Sequence, residues 1–243
     1  SDLVESLDRA VRACMASLFT DRAIVYRINN NFDHRSMAMS VGVQRMIRSD
    51  LACAGTMFTL DTETGFRGVV MIDAAWGLGE TIVQGRVSPD EYWVHKTTAK
   101  AGFKSLIRKE LGEKARKMVY ESGEAGTHAD LREIAVPEAD RAKFCLSDDE
   151  AMQLARWAIT IEEHYSTRLG TPTPMDVEWA KDGQSGELFI VQARPETVHS
   201  RGSCRELEVY SLEGKGKLLL SGKSVGCRIS SGPVRIVRSP AEL

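Results

Sequence analysis

The chain has 243 residues, 42% hydrophobic and 27% charged, enough to bury a sizeable core in one large domain or two modest ones. A formal net charge of -2 leaves no basic footprint for nucleic acid or an anionic membrane surface. No apolar run reaches bilayer-spanning length, the N-terminus shows no export signal, and five scattered cysteines lack a Cys-x-x-Cys spacing, so a cytoplasmic protein with reduced thiols is expected.

Residues 2–19 place Val4, Leu7, Val11, Cys14 and Leu18 three or four apart, which predicts an amphipathic helix. Its start, almost at residue 1, suggests a piece of a longer chain. Residues 23–28 read as a strand and Asn29–Asn31 as a loop. From Met37 to Ile47, Met37, Met39, Val41 and Val43 alternate with Ala38, Ser40, Gly42 and Gln44, predicting a strand whose small face admits something flat. A strand through Gly55, Met57 and Phe58 follows, then a turn at Asp61–Gly65 and a third strand over Val69–Ile72. The connections are too short for crossover helices, so an antiparallel sheet is expected.

Trp76–Gly85 holds a Gly-x-Gly turn that can approach a phosphate or a flat ring closely. A dinucleotide fingerprint would need glycine at Ile82, so a Rossmann reading fails. Pro89–Lys96 resumes strand character. Between residues 103 and 120, Lys104, Arg108, Lys109, Lys114, Arg116 and Lys117 interleave with apolar residues and read as solvated strand faces. Gly123–Ala129 reads as a loop. Ser147–Glu150 is a capping box, opening a helix with an Ala151, Leu154, Ala158, Ile161, Tyr165 stripe, which Gly170–Pro174 stops.

Met175–Thr197 then reads as a hairpin with its turn at Lys181–Gly186. Period two sets Asp176 and Glu178 against Val177 and Trp179, and Gln192 and Arg194 against Phe189, Val191 and Ala193. If Glu178 stands opposite Gln192, every partner pair sums to an even number, and Asp176, Glu178, Gln192 and Arg194 share one face. Carboxylate and amide oxygens suit Mg²⁺, and a guanidinium suits phosphate. The same residues also fit an exposed face with a cross-strand ion pair. After Arg201 the composition shifts. Lys217 breaks a Walker pattern, and Gly222–Gly226 matches a nucleophile elbow around Ser224, but no helix is predicted to follow it, so a loop in a β domain is preferred.

Val43–Ile47, Gly55–Phe58, Ala75–Glu80, Pro89–Glu91, Asp176–Ala180 and Phe189–Thr197 together closely resemble the phosphoenolpyruvate synthase (pyruvate, water dikinase) family over nearly the whole chain. The resemblance implies an α+β fold: an ATP-grasp-type antiparallel sheet with flanking helices, plus the first β strands of a second domain. Residues 1–203 would be the later part of the nucleotide-binding domain and 204–243 a linker and the start of a swivelling phosphohistidine domain. The implied reaction converts ATP, pyruvate and water to AMP, phosphoenolpyruvate and phosphate. No histidine here has the Thr-Ser-His context of the family's acceptor, and the pyruvate site would lie outside the chain, so this segment alone is expected to be inactive. The resemblance assigns Gln44 and the Met46 backbone to adenine, Glu80 to closing the nucleotide pocket, and Glu178 and Gln192 to Mg²⁺. It gives Arg194 the charge on the transferring phosphates and Asp176 a supporting role. Partners implied are ATP and pyruvate, with neither nucleic acid nor membrane, and homo-oligomerisation in the full-length protein. Alternatives are another dikinase-type phosphotransferase, such as pyruvate, phosphate dikinase or rifampicin phosphotransferase, and a non-catalytic nucleotide-binding module.

Overall fold

The computed structural model describes residues 2–121 and 131–197, with isolated positions 214, 216, 217, 233, 235 and 236. The Gly123–Ala129 loop, the Gly222–Gly226 segment and the expected second domain lie outside the described residues, apart from those isolated positions. The chain divides into two compact units, Ser1–Met46 and Ile47–Leu243.

In the first unit, α1 spans Asp2–Ala16 and runs into a 3-10 turn at Ser17–Phe19, as the apolar spacing predicts. Residues 23–28 are helical rather than extended: α2 spans Asp21–Asn29. Thr20 decides this by accepting the Ala23 N–H at 3.4 Å, with Asp21 in the first turn and Arg27 in the last complementing the helix ends. A six-residue apolar run does not by itself separate helix from strand. The strand expected over Met37–Ile47 does not form either. The segment holds no regular element and makes no ladder among the described residues, and Met37, Met39, Val43 and Met46 are all exposed. Alternation marks a strand only where a neighbour supplies the hydrogen bonds.

The second unit is built on a six-stranded sheet. Its strands are β1 (Cys53–Phe58), β2 (Val69–Trp76), β3 (Asp90–His95), β4 (Leu106–Glu110), β7 (Met175–Lys181) and β8 (Leu188–Pro195). They lie in the order β4-β3-β2-β1-β7-β8, every pair antiparallel, as the short connections require. Short helices α3 (Glu80–Val83), α4 (Lys96–Lys100) and α5 (Glu138–Arg141) sit in the connections, and β5 (Arg116–Tyr120) pairs with β6 (Leu131–Ala135) as a separate ribbon.

One sheet face is closed by α6 (Asp148–Leu169). Ser147 and Glu150 complete the predicted capping box, and Gly170 ends the helix in the left-handed region at φ 69. Ala151, Leu154, Ala155, Ala158 and Ile159 pack into the same core as Met57, Ile72, Tyr92, Val94, Val177 and Trp179. Burying this face takes every second residue of each strand and leaves the alternate residues pointing away from the helix.

One of the basic residues expected on solvated strands is instead buried in the connection between β4 and β5. Lys114 is 0% exposed, held in a left-handed conformation at φ 44, and its ammonium donates to Asp90 and to the Gly112 carbonyl. Asp90 also accepts the N–H groups of Gly112 and Cys145 at 2.9 and 2.8 Å. The buried carboxylate at the start of β3 needs a cation, and Lys114 is the residue that reaches it.

Candidate functional site

The face away from α6 carries the polar residues, and their alignment follows from strand register. Glu178 of β7 stands opposite Gln192 of β8 and, on its other side, opposite Thr56 of β1. Thr56 Oγ1 donates to Asp73 of β2 at 3.3 Å, and Asp73 stands opposite Glu91 of β3. One lateral row therefore runs Glu91, Asp73, Thr56, Glu178, Gln192 across five strands. A parallel row holds Phe58, Asp176 and Arg194, since Asp176 pairs with Phe58 on one side and Arg194 on the other.

The expected sharing of one face by Asp176, Glu178, Gln192 and Arg194 is what the register gives, with pair sums even from Met175–Pro195 through Glu178–Gln192. The alternation expected further along β8 is not met. The register shifts between Glu178 and Trp179, so that Trp179 pairs with Ile190, and Val191 is the extra residue of a bulge. Leu188 and Ile190, rather than Phe189 and Val191, therefore serve the core, with Ala193 beyond the bulge. Without it, Ile190, Gln192 and Arg194 would share a face by period two.

Two rows of polar residues need a boundary to become a site. The cleft above them has a volume of about 420 Å³ and is lined by Thr56, Asp73, Glu91, Asp176, Glu178 and Arg194, with Phe58, Met71, Ile82, Val83 and Val87 among its apolar residues. β1 and β2 approach closely because Gly55 has no side chain: a Cβ there would lie 1.8 Å from the Asp73 carbonyl oxygen and 2.8 Å from the Trp179 ring.

Arg194 Nε and Nη2 donate to the same Asp176 oxygen at 2.9 and 2.7 Å, while the Arg194 side chain stays 65% exposed. Asp176 thus fixes the guanidinium without enclosing it. Burial, and then the neighbouring Asp176 charge, push the Glu178 carboxyl above its ordinary value, and Arg194 opposes this in part. A cation placed against Glu178 would relieve both effects. Among the described residues no group of three or more His, Cys, Asp or Glu side chains is arranged to hold a metal ion. Glu178 and Gln192 are register partners across the β7–β8 pair, and a carboxylate and an amide are hard oxygen donors of the kind Mg²⁺ takes alongside water and phosphate oxygens.

The remaining expected residues sit differently. Glu80 opens α3 and accepts from Gln84 Nε2 at 2.8 Å, while Ile82, Val83 and Gly85 of the same connection line the cleft. Gln44 and Met46 belong to the first unit and are exposed. The Gly-x-Gly turn does not cradle a ligand through its first two N–H groups: Gly77 donates to Ala52 O and Leu78 to Met118 O, both at 3.0 Å. Gly77 is needed there for φ 86 and because a Cβ would meet Met118 O at 2.5 Å. Sequence reasoning missed Thr56, Asp73 and Glu91. The one signal among them was Asp73, an acidic residue interrupting the apolar run of β2.

The sequence profile described as pyruvate phosphate dikinase, AMP/ATP-binding domain, matches residues 2–212. A phosphoenolpyruvate synthase of Synechocystis sp. is 54% identical over 230 residues, covering 95% of this chain and 28% of that protein. Its counterpart in Pseudomonas aeruginosa is 51% identical over 240 residues, covering 99% of this chain and 30% of that protein. The Escherichia coli phosphoenolpyruvate synthase is 48% identical over 235 residues, covering 96% and 28% respectively. The chain thus spans less than a third of the length of these curated relatives.

Proposed function

We propose, from the premise that this chain belongs to the pyruvate phosphate dikinase AMP/ATP-binding domain family, that it forms the Mg-ATP-binding part of a pyruvate, water dikinase with an ATP-grasp-type nucleotide site. The observation that carries this reading is the pairing of Glu178 with Gln192 beside Asp176 with Arg194 on the open sheet face. In the full-length protein, ATP, pyruvate and water would yield AMP, phosphoenolpyruvate and phosphate through a phosphohistidine. Residues 1–203 would serve the nucleotide and 204–243 would lead into the swivelling domain. A cytoplasmic, homo-oligomeric enzyme fits this reading.

Glu178 and Gln192 would hold Mg²⁺, which neutralises phosphate charge when bound. Arg194, oriented by Asp176, presents its exposed guanidinium to phosphate oxygens as charge shifts during transfer. Ile82, Val83 and Val87 give the cleft an apolar flank. Gln44 and Met46 are assigned to adenine, and Glu80 to closing the pocket, by resemblance alone. The reading is tested by a thermal shift with Mg-ATP. The wild type should be stabilised and Glu178→Ala should not; an equal shift in both, or none in the wild type, would reject the site.

A further inference from the structure

The connection from Gly77 to Pro89 carries α3 and supplies Ile82, Val83, Gly85 and Val87 to the cleft. Its two ends are held by backbone. At the entry Leu78 N donates to Met118 O of β5 at 3.0 Å, and at the exit Ser88 O accepts the Lys114 N–H at 3.1 Å. Pro89 also lies against Gly112, where a Cβ would fall 2.1 Å from the Pro89 carbonyl oxygen. The middle of the connection is tied to the β5–β6 ribbon by side chains.

Glu133 of β6 stands opposite Met118, so by period two it shares a ribbon face with Arg116. Its two carboxylate oxygens are divided: Oε1 accepts from Arg116 Nε and Oε2 from Arg86 Nη2, and the side chain is 18% exposed. The Arg86 guanidinium uses its other arm, Nη1, on Gln84 Oε1 at 3.2 Å, and Gln84 Nε2 donates to Glu80 Oε1 at 2.8 Å. A guanidinium only donates, so the Gln84 amide must turn its oxygen to Arg86 and its NH₂ to Glu80. The line Arg116, Glu133, Arg86, Gln84, Glu80 therefore has a fixed direction, and it ends on a carboxylate at the first residue of α3.

We infer that Glu133 is a positioning residue for nucleotide binding, which acts through Arg86 and Gln84 to set the Glu80 carboxylate and the α3 wall of the cleft. The inference rests on the role of Glu80 in closing the nucleotide pocket. Every group of the relay lies within the second unit. With four residues, α3 is too short to hold its shape by its own hydrogen bonds, so its orientation has to come from the elements around it. The two arginines are half exposed, and each bond is weak alone, which sets a modest effect. What the relay supplies is order: the Glu80 and Gln84 rotamers are fixed before the nucleotide arrives, and the cost of ordering them on binding is reduced.

Calorimetric titration of the intact protein with Mg-ATP reads the relay. Glu133→Gln keeps the shape but removes the charge that holds both arginines, and it should weaken Mg-ATP about fivefold. In a Glu80→Ala background the same substitution should change nothing, because the relay has lost its end point. Arg86→Lys keeps a cation beside Glu133 but loses the fork that bridges to Gln84, so it should match Glu133→Gln, and it serves where that variant does not fold. Unchanged affinity in either folded variant, or a loss as large without Glu80 as with it, overturns the relay. A Glu80→Ala protein that binds as tightly as the wild type refutes the closing role of Glu80 and the relay with it, while the Glu178 site stands. A wild type that binds no Mg-ATP overturns the nucleotide reading as a whole.

Discussion

Glu178 faces Gln192 across the β7–β8 pair at the last even-numbered register before the ladder shifts. On the far side of Glu178, Thr56 leads to Asp73 and Glu91. The platform is therefore a row across the sheet rather than a local hairpin feature, and its charge balance sets what each member does.

Glu178 carries an electrostatic cost in the cleft. Its folded-state pKa is raised, by burial first and the Asp176 charge second. The native state therefore holds the Glu178 proton more tightly than the unfolded chain does. Stability is lost as pH rises from the ordinary carboxylate range through the native value, and the penalty is complete above it. Glu178→Gln should accordingly raise the melting temperature of the nucleotide-free protein at neutral pH. That gain should fade as pH falls below the ordinary carboxylate range, and the same variant should lose the Mg-ATP shift. Melting curves across pH with and without Mg-ATP check both halves.

Arg194 offers a planar fork held by Asp176 through a single oxygen. Lysine keeps the charge but not the fork. On the proposed dikinase reading, Arg194→Lys should lower kcat of phosphoryl transfer by about 10²-fold while the KM for ATP changes much less, since the proposed contact would tighten as charge moves. Steady-state kinetics of the intact enzyme distinguish this from a binding defect.

Lys114 and Asp90 form an ion pair in which both side chains are 0% exposed. Lys114→Ala strands a buried carboxylate and should cost about 3–5 kcal/mol. The midpoint of urea denaturation reports the loss. An unchanged midpoint would mean that the Gly112 and Cys145 N–H groups satisfy Asp90 by themselves.

The bulge at Val191 makes two deletions of one residue behave differently. Removing Val191 restores a regular ladder in which Ile190 still faces the core and Gln192 and Arg194 still face the cleft, so folding and the Mg-ATP shift should survive. Removing Ala193 moves Arg194 opposite Val177, which is 0% exposed, and drives a guanidinium into the core. That variant should be strongly destabilised. Circular dichroism melts of the pair decide the matter.

What the sequence determined by itself was local. Ser147 and Glu150 announce α6, its apolar spacing names the residues that meet the sheet, and period two in Met175–Lys181 sets Asp176 and Glu178 against Val177 and Trp179, because caps and side-chain periodicity depend only on neighbours a turn or a pleat away. The tertiary structure decided what depends on partners distant in the chain. Residues 23–28 became a helix once Thr20 capped them, and Met37–Ile47 formed no strand without a ladder. Lys114 went inside because Asp90 was already there. Thr56, Asp73 and Glu91 joined the row only when β1 came to lie beside β7, with β2 and β3 following it in the sheet. Val191 bulged because Ile190 was drawn to the core while Gln192 and Arg194 stayed on the cleft face. Register and burial are settled between strands, and no single stretch of sequence contains both sides of that choice.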